Sequence, residues 1–188
     1  MRANILSSFL SGFAALQEFI YHHLAGLDRT YYKPHEYVIL LRQFAGKTLV
    51  KLDITAERHD LYGTPVKGHL YVDLRGFSAL KCIRIDEDLF EVPETCIRKH
   101  DDGNKMARLV DMLPKSTVVL EILQHRVIAE ATDLFKDLAE LKKERLPGMR
   151  AISCWHKRFD SPLTGSLTES LERVGLRTYT TPFSTTDI

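Results

Sequence analysis

Leu120, Val127, Leu134 and Leu141 are spaced by seven, with Leu123, Ala131 and Leu138 filling between them. Sustained seven-residue spacing of apolar residues is the mark of a helix with a continuous seam. Ser116 or Thr117 stands ready to cap its start. The pattern predicts one long helix from Val118 to Arg145. At 1.5 Å per residue that rod is about 42 Å long, against a radius of gyration of about 16 Å for a compact chain of this size. Such a helix must span the whole globule, bend or project. Its seam would pack on another helix of the same chain or, where left uncovered, pair with a second copy.

A second apolar series precedes it. Ile5, Leu6, Phe9, Leu10, Phe13, Leu16, Ile20 and Leu24 recur at helical spacing, with Ser7, Ser8, Ser11, Gln17 and Glu18 mostly opposite, and predict a core-facing amphipathic helix of about 20 residues. Arg2 and the short apolar stretch after it faintly resemble a signal peptide, but the amphipathic pattern favours a core helix. No run reaches the roughly 18 uninterrupted apolar residues of a spanning helix, so no membrane partner is expected. The segment HEYVILLRQFA, entered through Pro34 and closed by Gly46, reads as a short helix.

From Lys47 the period changes from helical to alternating. KTLVKLDIT, HLYVDLRG, SALKCIRID and FEVPETCIRK each read as a strand, the last confined to an edge or bulge by Pro93. Connections this short favour antiparallel neighbours. KMARLVDML, ending at Pro114, is helical. The C-terminal part reads as a strand at RAISCW, a short helix entered by the Ser166/Glu169 capping box and closed by Gly175, and a strand at LRTYT. The expected fold class is therefore α+β. A small antiparallel sheet packs against an amphipathic N-terminal helix and one long helix, and a C-terminal strand-helix-strand unit extends the sheet or forms a small lobe. The chain, 188 residues, is expected to be a single domain, 1–188, with a helical part at 1–46, the sheet at 47–97, a helical part at 103–146 and the last unit at 147–188.

Charge sets no global field. Twenty-six Lys and Arg balance 25 Asp and Glu, and no segment departs from neutrality by more than one charge. A nucleic-acid site would have to be a local patch assembled by folding. Its candidates are Arg98, Lys99, Lys142, Lys143, Arg145, Arg150, Lys157 and Arg158. The three cysteines, Cys82, Cys96 and Cys154, lack framework spacing and fit reduced thiols in a cytoplasmic protein. No cofactor or metal motif is present, and neither is expected. Cys82 and Cys154 read as small buried hydrophobes, Trp155 as an anchor of a core face, and His22 and His23 as a polar pair at a helix end.

The densest set of acid–base groups is the loop ERHDLYGTPVKGH, with Glu57, His59, Asp60, Tyr62 and His69. An imidazole oriented by a carboxylate needs this composition, yet no nucleophile elbow or phosphate loop accompanies it. The leading expectation is accordingly a non-enzymatic interaction or regulatory protein that binds a macromolecular partner, a protein or a protein–nucleic acid complex. A homodimer through Leu120, Val127, Leu134 and Leu141 is part of that reading. The alternative is a small hydrolase or nuclease using His59, Asp60 and His69, alone or with a divalent metal. The third reading is a nucleic-acid-binding regulator working through the basic patch.

Overall fold

The computed structural model describes residues 3–23, 34–56, 72–86, 108–124, 135, 137–156, 165–179 and 181. Six strands, β1 (Glu18–His23), β2 (Lys51–Ala56), β3 (Cys82–Asp86), β4 (Val119–Gln124), β5 (Ala151–His156) and β6 (Arg177–Tyr179), form one sheet in the order of the sequence. Every neighbouring pair is parallel. Five helices accompany them: α1 (Ala3–Leu10), α2 (Pro34–Ala45), α3 (Leu109–Met112), α4 (Leu138–Arg145) and α5 (Gly165–Arg173). The fold is α/β, and the expectation of a small antiparallel sheet is overturned.

The physical reason lies in one misread segment. HLYVDLRG was expected to be a strand, which would leave only short turns on either side. Within it, Val72–Leu74 is not a strand, and Leu74 instead donates its N–H to the Met112 carbonyl, 3.0 Å away. The whole of 57–81 then separates β2 from β3, long enough for the crossover that parallel neighbours require. FEVPETCIRK, the expected fourth strand, lies outside the described residues.

The long helix from Val118 to Arg145 is not formed. Its first part is β4, in which Leu120 and Ile122 are fully buried, and its last part is α4. A short apolar run of this kind serves a buried strand as well as a helix, and here TVVLEIL serves the centre of a parallel sheet, where strands are covered enough to read as continuous apolar sequence. Of the supposed seam, Leu120 points into the core, Leu141 packs partly buried against it, and Val127 and Leu134 lie outside the described residues. The N-terminal helix is shorter than expected too. α1 ends at Leu10, where Ser11 and Gly12 turn the chain, and Ile20 belongs to β1.

A sheet whose strands follow one another in a single direction, each joined by a crossover of the same hand, carries all its connections on one face. Burial agrees. The side chains alternating onto one face, Phe19, Leu52, Ile54, Ile83, Ile85, Leu120, Ile122, Ile152 and Cys154, share a single core cluster with Leu6 and Leu10 of α1, Tyr37, Val38 and Leu41 of α2, Leu109 and Met112 of α3, Leu138 of α4 and Leu171 of α5. The rings of Tyr21 on β1 and Tyr37 on α2 meet edge to face at 5.0 Å. Arg108 ties α3 to the start of α4 by pairing with both Asp111 and Asp137, and those two carboxylates raise its pKa.

The strand entries repeat one hydrogen bond. The Gln17 carbonyl accepts from the N–H groups of Val50 and Lys51, the Val50 carbonyl from Lys81 and Cys82, the Lys81 carbonyl from Val118 and Val119, and the Val118 carbonyl from Arg150 and Ala151. The Arg150 carbonyl closes the series by accepting from Arg177. Apolar side chains repeat with it: Leu16/Phe19/Tyr21, Leu49/Leu52/Ile54, Leu80/Ile83/Ile85 and Met149/Ile152/Cys154. Each unit buries its apolar face only by stacking on the next, which is the construction of a solenoid.

Candidate functional site: the open face of the sheet

The residues that alternate away from the core define a second face. Among the described residues, the helical side chains that join the apolar core, from Leu6 on α1 to Leu171 on α5, belong to the cluster on the first face, and no described helix contributes to the second; Asp86 and Ser153 on that second face are nonetheless fully buried. Parallel sheets are ordinarily covered on both faces, and the side chains here are correspondingly different. One row across the sheet runs Glu18, Lys51, Cys82, Val119, Ala151, Arg177. The central row runs Ile20, Asp53, Arg84, Glu121, Ser153, Tyr179. In a third, His22 stands beside Thr55, and Asp86 beside Leu123 beside Trp155.

Adjacent strands put the central residues within charge contact of one another. Arg84 Nε lies 3.3 Å from Glu121 Oε1, and Arg84 Nη1 lies 3.8 Å from Asp53 Oδ2. The first contact is an ion pair without a formed hydrogen bond. Trp155 Nε1 donates to the same Glu121 Oε1 at 2.8 Å, and His22 Nε2 stands 3.1 Å from Asp53 Oδ2. The carboxylates form the floor, with 7% and 8% of the Asp53 and Glu121 side chains exposed. Arg84 at 36% and His22 at 49% rise to solvent beside the half-buried Trp155. The arrangement fixes an arginine and a tryptophan from below by charge and hydrogen bonding while leaving their outer surfaces free.

None of the expected site residues that the structure describes lies on this face. His59, Asp60 and His69, with Arg98, Lys99, Lys157 and Arg158, lie outside the described residues. Lys142, Lys143 and Arg145 sit on α4, and Arg150 just before β5; Lys142 is buried and Arg145 pairs with Glu144 at 3.3 Å. His22 and His23 share no helix end. They occupy one strand and point to opposite faces, His23 buried with Nδ1 3.3 Å from the Tyr21 hydroxyl and its pKa lowered by burial. Cys154 is in the core as expected, but Cys82 is half-buried on the open face with its thiol pKa raised by burial, so the two cannot share a metal ion through the sheet. Among the described residues no group of three or more His, Cys, Asp or Glu is placed to hold a metal, and no helix is long and apolar enough to cross a membrane. Trp155 anchors the open face, not the core face.

Asp53, Arg84 and Glu121 escaped the sequence reading because each sits singly between two apolar residues of its strand, with no charged neighbour in sequence. The signal that finds them is their common place, the second residue after the strand's first, in three successive units. Among the described residues the fold is a six-stranded, all-parallel α/β sheet in sequence order, with polar and aromatic side chains on the face opposite the described helices. No family model, curated protein or solved structure matches the chain.

Proposed function

We propose that the protein is a non-enzymatic interaction module that binds a protein partner on the open face of its sheet. The observation that carries this reading is the single carboxylate, Glu121, that steadies both Arg84 and Trp155. Arginine and tryptophan are over-represented among the few residues that dominate binding energy at protein interfaces. Side chains already held in place lose less freedom on binding. Solenoids, moreover, use extended faces of this kind for recognition. The spacing Leu-x-x-Φ-x-Φ around β1, β2 and β3 resembles that of leucine-rich repeats, although Thr117 and Met149 replace the Leu before β4 and β5, and Glu57, Asp88, His125 and Lys157 occupy the position where that pattern has Asn or Cys.

The test is a comparative pull-down. Proteins captured by the wild type should be lost with Arg84→Glu and with Trp155→Ala, and retained with Arg173→Glu on the exposed side of α5, all three variants keeping the wild-type circular dichroism. Equal capture by the wild type and both face variants would refute the assignment.

A further inference from the structure

We infer that the outer edge of β1 is a self-pairing surface and that the protein forms a two-fold symmetric dimer by joining two sheets edge to edge. β1 ends the sheet. The Gln17 carbonyl points to β2, and because backbone groups alternate along a strand, those of Glu18, Ile20 and His22 point outward. An antiparallel copy of β1 centred on Ile20 places Ile20 opposite Ile20 of the second copy and Glu18 opposite its His22, with every outward-pointing residue in a hydrogen-bonded pair. A shift of two residues either way loses one of the three pairs.

Side chains favour the same register. Ile20 is 54% exposed, a large apolar group with no cover among the described residues. The Glu18 carboxylate, 62% exposed, would meet the half-exposed His22 imidazole of the second copy on both sides of the axis, where a ring N–H can donate to a carboxylate oxygen across the strands. Lys51 and Asp53, which flank these two groups on β2 at 3.8 and 3.1 Å, stay on the inner side. α1 packs on α2 at the end of the helical row, and its residues Ile5 and Phe9, continued by Phe13, are all more than two-fifths exposed. Residues 3–17 carry no charge. A two-fold axis normal to the sheet sets the two α1 helices on the same face, where this apolar stripe has a matching stripe to cover it. The other edge is different. β6 is three residues long with Arg177 exposed, and Pro182 follows; a short, charged strand near a proline is a blunted edge, whereas β1 is six residues long with the exposed apolar Ile20 at its centre.

Sedimentation or light scattering should give a mass of twice 21.6 kDa. Ile20→Lys sets two ammonium groups against each other across the junction, and Glu18→Lys removes the carboxylate that accepts from His22; each should return the monomer with unchanged circular dichroism. Ile20→Cys supplies a readout independent of folding. Paired residues at this register lie about 5.5 Å apart at Cα, within the roughly 4.4–6.8 Å that a disulfide spans, so the variant should run as a crosslinked dimer on non-reducing gels while Ile39→Cys, exposed on α2, should not. A monomeric wild type, a dimer that survives Ile20→Lys, or equal crosslinking at residue 39 would overturn the proposal. Arg84→Glu should leave the dimer intact, which separates this surface from the open-face site.

Discussion

Arg84 is the residue on which the open face depends, and replacing it with methionine tests the arrangement. The substitution keeps most of the aliphatic stem and deletes the charge. Two carboxylates that are more than nine-tenths buried then lose the cation between them. Removing one partner from a fully buried ion pair costs about 3–5 kcal/mol. Two facts reduce that figure here. Arg84 is 36% exposed and its charge is screened by water, and each carboxylate keeps a second neighbour, His22 for Asp53 and Trp155 for Glu121. The expected loss is therefore about 2 kcal/mol, or about 4–8 °C in melting temperature for a chain of this length. Urea unfolding of Arg84→Met against wild type measures it. The triple variant Asp53→Asn/Arg84→Met/Glu121→Gln, which removes the stranded charges as well, should recover most of the loss. A single variant as stable as wild type, or a triple variant no better than the single, would show that the three charges do not act as a unit.

Trp155→Phe keeps the ring but leaves Glu121 Oε1 without its indole donor, and should cost about 1–2 kcal/mol in the same unfolding assay. Ile122→Ala, a fully buried position on β4, should cost about 2–5 kcal/mol; a loss below that range would contradict the placement of this segment in the sheet core. Burial lowers the pKa of His23 from its ordinary 6.5, so the unfolded chain takes up a proton on acidification before the folded chain does. Stability should hold above pH 6.5, decline as the pH falls below it, and decline less in His23→Gln, as followed by melting temperature across that range. Gly46→Ala would set a Cβ 2.5 Å from the Arg42 carbonyl oxygen and 3.2 Å from that of Gly76. It should destabilise by about 1–3 kcal/mol, whereas Gly175→Ala, with φ at +77° and open space around it, should cost only the backbone strain of about 1–2 kcal/mol.

Local structure was readable where a segment's period and its boundary residues agreed. Pro34 and Gly46 bracket α2 as expected, the alternation of KTLVKLDIT and SALKCIRID finds β2 and β3, and Gly175, at positive φ, closes the segment between α5 and β6. The relation between segments was harder to read. Strand direction depends on the length of a connection, and one spurious strand around Val72 shortened the connection enough to reverse the inference. The seven-residue spacing from Leu120 to Leu141 misled because a period reports the face of a helix only where a helix exists, and the β-branched and aliphatic run at Val118–Leu123 fits a buried strand equally well. The open-face site was invisible to motif reading for a related reason. Its members are drawn from five strands, and only the internal repetition of x-x-Φ-x-Φ, led by Leu before the first three strands, would have aligned them. His22 was singled out, but its partner Asp53 lies on the neighbouring strand rather than one helical turn away.

The carbonyl series from Gln17 through Val50, Lys81, Val118 and Arg150 means that every unit takes its starting point from the one before it, independently of how much chain intervenes. Return segments can therefore grow or shrink by insertion and deletion without throwing the displayed side chains out of frame. Sequence drift is channelled into the loops, and the side chains along the strands can change one residue at a time on a scaffold whose spacing does not change.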